Sequence, residues 1–287
     1  MDQTVWGGYV RHNALYRRAF DRSDSLLEEQ FLFENDAVMM YSPLLSGTDA
    51  AQSHGKKGGP AMHYGTVIPA RFLERPNRFI AQVDSADGEL ICHVKNTGRC
   101  RELLVPGAVV YLERAENPNR KTAYDLIAVE KGGLLVNMDA QAPNRVFGEW
   151  AEAGGFLPDI RAVRPEYSYG ASRIDFCLET ARGAHLVEVK GVTLEENGHA
   201  RFPDAPTERG VKHLHELRHA VEQGLSASLV FIVQMEGMRD VSPNDGTHPA
   251  FGAALREAAA AGVGVRAFTC AVKPDSIAVS GEIPVIL

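Results

Sequence analysis

The stretch SRIDFCLETARGAHLVEVK, residues 172 to 190, reads as two strands joined by a tight turn and carries Asp175, Glu188 and Lys190. Side chains alternate along a strand, so Glu188 and Lys190 point to one face while Val187 and Val189 point to the other. One face is expected to be polar and the other to enter the core. A hairpin turning at Ala181-Arg182, eased by Gly183, places Asp175 opposite Glu188 and Arg173 opposite Lys190. Two carboxylates then sit roughly 5 Å apart, with two cations one pair further along. Ile174, Phe176 and Leu178 join Val187 and Val189 on the apolar face.

Facing carboxylates repel unless a proton or a cation lies between them, and hard oxygen ligands suit Mg²⁺ or Mn²⁺. Facing cations ask for the converse, and a phosphate oxygen would serve both Arg173 and Lys190. Together these describe a site for phosphodiester hydrolysis. The ion would polarise a phosphoryl oxygen and lower the pKa of a bound water, while Lys190 holds or helps activate that nucleophile. Acid-x-Lys on a strand also arises as a solvated sheet face with cross-strand pairs, and that reading stands beside the first.

An Asp, a hairpin and then Glu-x-Lys resembles the PD-(D/E)xK nuclease superfamily. More closely, YGASRIDF (169 to 176), EVKGVTLEENGHARFPDAPTERGVKHLHEL (188 to 217) and KNTGRCRELLVPGA (95 to 108) are similar to the sugar fermentation stimulation protein family. The resemblance runs from about residue 63 to the C-terminus. It implies a nucleic-acid-binding protein with an N-terminal OB-like domain and a C-terminal nuclease-type domain. Within it Asp175 matches the metal-binding Asp, Glu188 the second acid and Lys190 the lysine, with the carbonyl of Val189 as a further ligand. The superfamily's proline before the Asp is Ile174 here, a mild departure because that proline contributes no ligand.

The chain has 287 residues, 45% of them hydrophobic, enough to bury a sizeable core in two domains. No apolar run approaches the about 20 residues of a membrane span, and the N-terminus shows no secretory h-region. Cys92, Cys100, Cys177 and Cys270 lack C-x-x-C spacing, so a reduced cytoplasmic set is expected. A formal net charge of −7 excludes a strongly basic coat, and any nucleic-acid contact must be local.

Residues 1–61 read as a disordered extension or a mis-assigned start, because LSGTDAAQSHGKKGGPA (45 to 61) has too little apolar area to offset ordering entropy. From 62 to 143, short strands between turn signals predict an OB-like β-barrel. Its acidic and basic residues balance, but Arg71, Phe72, Arg75, Arg78 and Phe79 mix cations with rings, and Lys95, Arg99 and Arg101 crowd a polar loop. Cations that track phosphates beside rings that stack bases are what single-strand binding needs. Alternatively, both phenylalanines are core and the arginines solvated.

From 144 to 287 the pattern is α/β of mixed type: a helix at NRVFGEWAEAGG, strands near 163–169, 172–180 and 184–190, a long helix, a strand at 227–234, a helix at 248–261 and two closing strands. The core order is helix, three strands, helix, strand, a PD-(D/E)xK-like mixed sheet with flanking helices. Asp204 and Pro206 mark the start of the long helix. Its apolar stripe is Val211, Leu214, Leu217 and Val221, which leaves Arg209, Lys212 and Glu216 on the far side and His213 at a flank. His215-Glu216-Leu217-Arg218-His219 fits H-E-x-x-H, a zinc-peptidase signature, yet helical geometry turns both histidines away from the stripe.

These readings favour a divalent-metal-dependent nuclease acting on DNA or RNA. The barrel would present the strand to Asp175, Glu188 and Lys190, with Arg173 and Arg209 as nearby cations. Glu166 is a candidate accessory acid and Glu149 a weaker one. The family's name also keeps open a DNA-binding regulator of sugar (maltose-type) metabolism built on a non-catalytic nuclease-like scaffold.

Overall fold

In the computed structural model, residues 59–170 and 172–287 are described, so most of the expected extension at 1–61 lies outside the described residues. The first half comprises β1 (Met62–His63), β2 (Val67–Asn77), β3 (Ile80–Ser85), β4 (Gly88–Val94), β5 (Val109–Arg114), β6 (Tyr124–Lys131) and β7 (Leu134–Asn137). Alternating apolar residues put Phe72, Val83, Cys92, Val110, Leu112 and Leu126 inside, each almost fully buried. Strands β4-β3-β2-β5-β6 run antiparallel in that order, and β6 returns to pair with β4 through His93↔Asp125 and Val94↔Leu126. The result is a closed five-stranded OB-like barrel without free edges. At the seam Asp125 accepts two hydrogen bonds from Arg120, at 2.8 and 2.6 Å, and lies 3.0 Å from His93 Nδ1.

The second half comprises α1 (Ala142–Glu152), β8 (Ile160–Tyr169), β9 (Ser172–Thr180), β10 (Gly183–Val192), β11 (Leu194–Glu196), β12 (His199–Phe202), α2 (Glu208–Glu222), β13 (Ser226–Val233), β14 (Asp240–Pro243), α3 (Pro249–Ala260), β15 (Gly264–Lys273) and β16 (Ser276–Ile283). The main sheet has the order β1-β16-β15-β13-β10-β9-β8, with β10, β13 and β15 mutually parallel. Its central strand, SASLVFIV, is buried beyond its first residue, as a parallel strand covered on both faces must be. Val146, Phe147 and Trp150 of α1 pack on Val187, Val189 and Phe268. The opposite face carries Leu214 and Leu217 of α2 and Phe251 of α3 against Leu186, Leu229 and Phe231.

Several local expectations shift. Met62–His63, grouped above with the barrel, pairs with β16 in the main sheet. Helix α1 begins at Ala142, because Pro143 suits a first helical turn, and this brings Asn144 inside the helix. Helix α2 begins at Glu208 rather than near Asp204, because the Thr207 hydroxyl caps it by accepting from the Gly210 N–H at 3.1 Å. Strands β11, β12 and β14 form a small sheet that the periodicity did not predict. Its hairpin turns on Asn197-Gly198, both at positive φ (55° and 81°), a turn signal present in the sequence.

All four cysteines are buried and free. No helix among the described residues is long and apolar enough to cross a membrane.

Candidate metal centre and nucleic-acid interface

The hairpin register is the expected one as far as it runs. Strands β9 and β10 pair from Gly183↔Thr180 to Val187↔Phe176. There the ladder stops, while β9 continues along β8 and β10 continues along β13. In the fork, the side chain of Asp175 takes over from the main chain: its Oδ2 accepts the Val189 N–H at 2.8 Å, and its Oδ1 accepts Asn144 Nδ2 from α1 at 2.9 Å. A residue that directs its N–H to one side of a strand directs its carbonyl there too, so the Val189 carbonyl also faces the fork. Beyond the fork the pleat of β9 is free of β10, and Ile174 packs in the core cluster that includes Cys177 and Leu186 instead of sharing the face of Phe176 and Leu178.

The polar face expected along β10 is not solvated. Helix α2 covers it, and Glu188 is 1% exposed. Its Oε1 accepts from Lys190 Nζ at 2.6 Å and from His213 Nδ1, while Oε2 has no hydrogen-bond partner. Burial pushes the Asp175 carboxyl above the usual carboxylate range and the Glu188 charge adds to this, against the hydrogen bonds from Val189 and Asn144. Burial acts upward on Glu188 as well, but the hydrogen bonds from His213 and Lys190 and the Lys190 charge outweigh it and hold that carboxyl below its ordinary value. The two acids are therefore unlike: their surroundings shift them in opposite directions.

His213, expected at the flank of the helix stripe, is buried. The apolar face is wider than the four residues of the stripe, since Gly210, Leu214, Leu217 and Ala220 are buried with it. Arg209, expected to reach nucleic acid, donates from Nε to His213 Nε2 at 3.4 Å. Glu216 is not on a free outer surface either: it accepts from Ser172 Oγ of β9, and its Oε2 is buried without a partner. His215 and His219 are exposed, as helical geometry required.

Other candidates are not brought to the fork. Arg173 does not face Lys190; it and Glu166 form a mutual 3.3 Å ion pair with both side chains mostly exposed. Glu149 pairs with Arg145 one turn earlier on α1. Among the described residues no three His, Cys, Asp or Glu side chains are arranged to hold a metal ion alone. The donor set on offer is Asp175, Glu188 Oε2 and the Val189 carbonyl. It fits a hard divalent cation: all are oxygens, and one is a buried carboxylate oxygen that nothing else satisfies.

The basic corner of the barrel divides in two. Arg75 is structural, donating to the carbonyls of Arg78, Asn96, Gly98 and Arg99 at 2.7 to 3.0 Å and so holding the 96–99 loop. Lys95 is structural as well, 2.8 Å from buried Asp139 and 3.8 Å from Glu113. Arg71 is exposed and donates to the Gly107 carbonyl. Arg78, Arg99 and Arg101 are exposed and line a cleft of about 320 Å³ with Asn77 and Thr97. Phe72 is core, whereas Phe79 is 44% exposed with the Arg78 guanidinium 4.7 Å from its ring centre. The same loop reaches the elements of the fork. The Lys95 carbonyl accepts the Ala140 N–H just before α1, and Gly98 lies so close to Asp204, in the segment leading to α2, that a Cβ there would sit 2.5 Å from its carboxylate.

Two family models match this chain: the SfsA N-terminal OB domain over residues 73–138 and the sugar fermentation stimulation protein RE domain over residues 141–276. A sugar fermentation stimulation protein homolog of Desulfitobacterium hafniense is 54% identical over 216 residues, covering 75% of this chain and 94% of its own. A homolog of Clostridium beijerinckii is 47% identical over 226 residues, 79% of this chain and all of its own. The solved structure of Pyrococcus furiosus SfsA in complex with Ca²⁺ is similar, with a TM-score of 0.73 and 30% identity over 79% of this chain and 98% of that one.

Proposed function

This chain belongs to the sugar fermentation stimulation protein family, and from that premise we propose that it is a divalent-metal-dependent nuclease hydrolysing phosphodiester bonds of DNA or RNA. The observation that carries the reading is the buried, unpartnered Oε2 of Glu188 beside Asp175. Leaving a carboxylate oxygen buried without a partner is costly, and such atoms are rare in folded proteins unless an ion or water completes them. Asp175, Glu188 and the Val189 carbonyl would hold Mg²⁺ or Mn²⁺; the relative solved with Ca²⁺ takes a cation of the same hard, oxygen-seeking class.

A bound ion would polarise a phosphoryl oxygen and lower the pKa of a coordinated water. The residues of the chain would do the rest. Asn144 and the Val189 N–H orient Asp175. Lys190 reaches the site from the same strand as Glu188 and, at 15% side-chain exposure, is open enough to turn towards a phosphate or a nucleophilic water. Arg99 and Arg101, in the segment between β4 and β5 that touches the approaches to α1 and α2, and Arg78 in the β2–β3 turn would track the backbone of the strand, with Phe79 as a stacking surface.

One observation favours a second reading, a DNA-binding regulator of sugar metabolism on a silent scaffold. Lys190 already neutralises Glu188 and His213 already donates to it, so half of the carboxylate is satisfied without an ion. Incubating pure protein with labelled single- and double-stranded DNA and RNA, in Mg²⁺, Mn²⁺ or EDTA, separates the two. Metal-dependent cutting is expected; binding without cutting under every condition would favour the regulator.

A further inference from the structure

We infer that His213 is the positioning residue of the metal centre: it fixes the Glu188 carboxylate so that Oε2 alone is offered to the cation. This rests on the metal-site reading above and assigns a role to a residue outside the Asp175, Glu188, Lys190 triad. A carboxylate oxygen has two lone-pair directions, and both of those on Oε1 are taken, one by His213 Nδ1 and one by Lys190 Nζ. Oε2 has neither, although it is equally buried. A glutamate held this way presents a single oxygen to an ion rather than chelating with two.

The histidine can do this in only one tautomer, and a neighbour selects it. Arg209 Nε is 3.4 Å from His213 Nε2, and a guanidinium only donates. Nε2 must therefore accept, which leaves the ring hydrogen on Nδ1, facing Glu188. Two helix residues four apart thus set the orientation of an acid on a sheet strand 25 positions earlier than the histidine. The arrangement follows a general pattern in which groups behind a metal ligand fix its geometry.

A division of labour between the two donors follows. Lys190 sits on a flexible stem at the edge of solvent, and if it alone restrained Glu188 it could not leave to meet a phosphate. His213, 4% exposed, has no such second duty. Glu188 stays in place when Lys190 swings away.

The full chain tests this by calorimetric titration with Mn²⁺, without substrate. His213→Phe keeps a ring of similar size but donates nothing, whereas His213→Asn places an amide nitrogen near the position of Nδ1. Mn²⁺ affinity should fall about 10- to 100-fold in His213→Phe, the usual loss for a group behind a metal ligand, and His213→Asn should recover most of it. A packing role predicts the opposite order, with the smaller Asn worse than Phe. Wild-type affinity in His213→Phe, or no recovery in His213→Asn, would overturn the inference while leaving the metal site intact. If wild-type protein takes up no Mn²⁺, the metal reading itself fails first. Should His213→Phe not fold, Arg209→Met at its exposed position serves instead: weakened Mn²⁺ binding supports the assignment and unchanged binding overturns it.

Discussion

The Val189 N–H donates to Asp175 Oδ2 at 2.8 Å, so the first acid of the motif is built into strand β10 at the point where its ladder with β9 has ended. Asp175 closes a main-chain hydrogen bond and, in the proposed metal site, would also hold the cation, and substitutions there separate the two tasks. Asp175→Ala would leave the Val189 N–H without its acceptor and should destabilise the metal-free protein by about 1–3 kcal/mol. Asp175→Asn retains an acceptor and relieves the repulsion from Glu188, so its melting temperature in EDTA should stay level or rise. Both should reduce cleavage to the EDTA background. Equal melting temperatures for the two variants would remove the structural task, and wild-type cleavage in either would remove the catalytic one.

The closed barrel has its own acid. Burial works to raise the carboxyl of Asp125, but hydrogen bonds from Arg120 and His93 and the charges of Arg120 and Lys95 outweigh it and hold it below the ordinary value of 3.8. A carboxyl with a depressed folded pKa contributes stability that is fully present above its unfolded value and is lost as pH falls through the folded one. Asp125→Asn should therefore be less stable than wild type at neutral pH, with the gap closing below pH 3.8. Urea melts across that range measure the gap, and a constant difference would refute the assignment.

Cations at the barrel corner should not respond alike. Reversing Arg78, Arg99 and Arg101 to Glu should weaken nucleic-acid binding and reduce the salt slope by roughly one unit for each phosphate no longer neutralised, with the melting temperature held. Reversing Arg75 or Lys95 should instead lower the melting temperature, since one holds four carbonyls and the other is paired with buried Asp139. If all five reversals lower affinity without touching stability, the division between structural and phosphate-binding cations is wrong.

Strand β1 offers a test of what joins the barrel to the main sheet. Met62–His63 pair with β16, and the Tyr64 hydroxyl accepts from Asn137 Nδ2 at 2.7 Å, in a buried network that runs on to Gln234. A chain beginning at Val67 should melt at a lower temperature than one beginning at Gly59, because it loses both. Coincident melts would show that the barrel and the sheet hold together without this edge.

Residues 172–190 determined by themselves the hairpin and its register from Thr180 to Phe176, because a tight turn and the two-residue period of a strand are local. The outward turn of His215 and His219 was likewise local, a matter of helical angle. The Asn197-Gly198 turn is equally local, and its signal stands in the sequence although the strands it joins are too short to show a period. Only the tertiary structure decided what covers each face. Periodicity tells which residues share a side, but whether α2 or water lies over Glu188 depends on where a crossover returns, and the hydrogen bond with His213 spans 25 positions. The same holds at the barrel corner, where Arg75 and Lys95 look like free cations in sequence. They are spent on loop carbonyls and on Asp139, partners brought to them by the closure of the barrel and its packing on the second half of the chain.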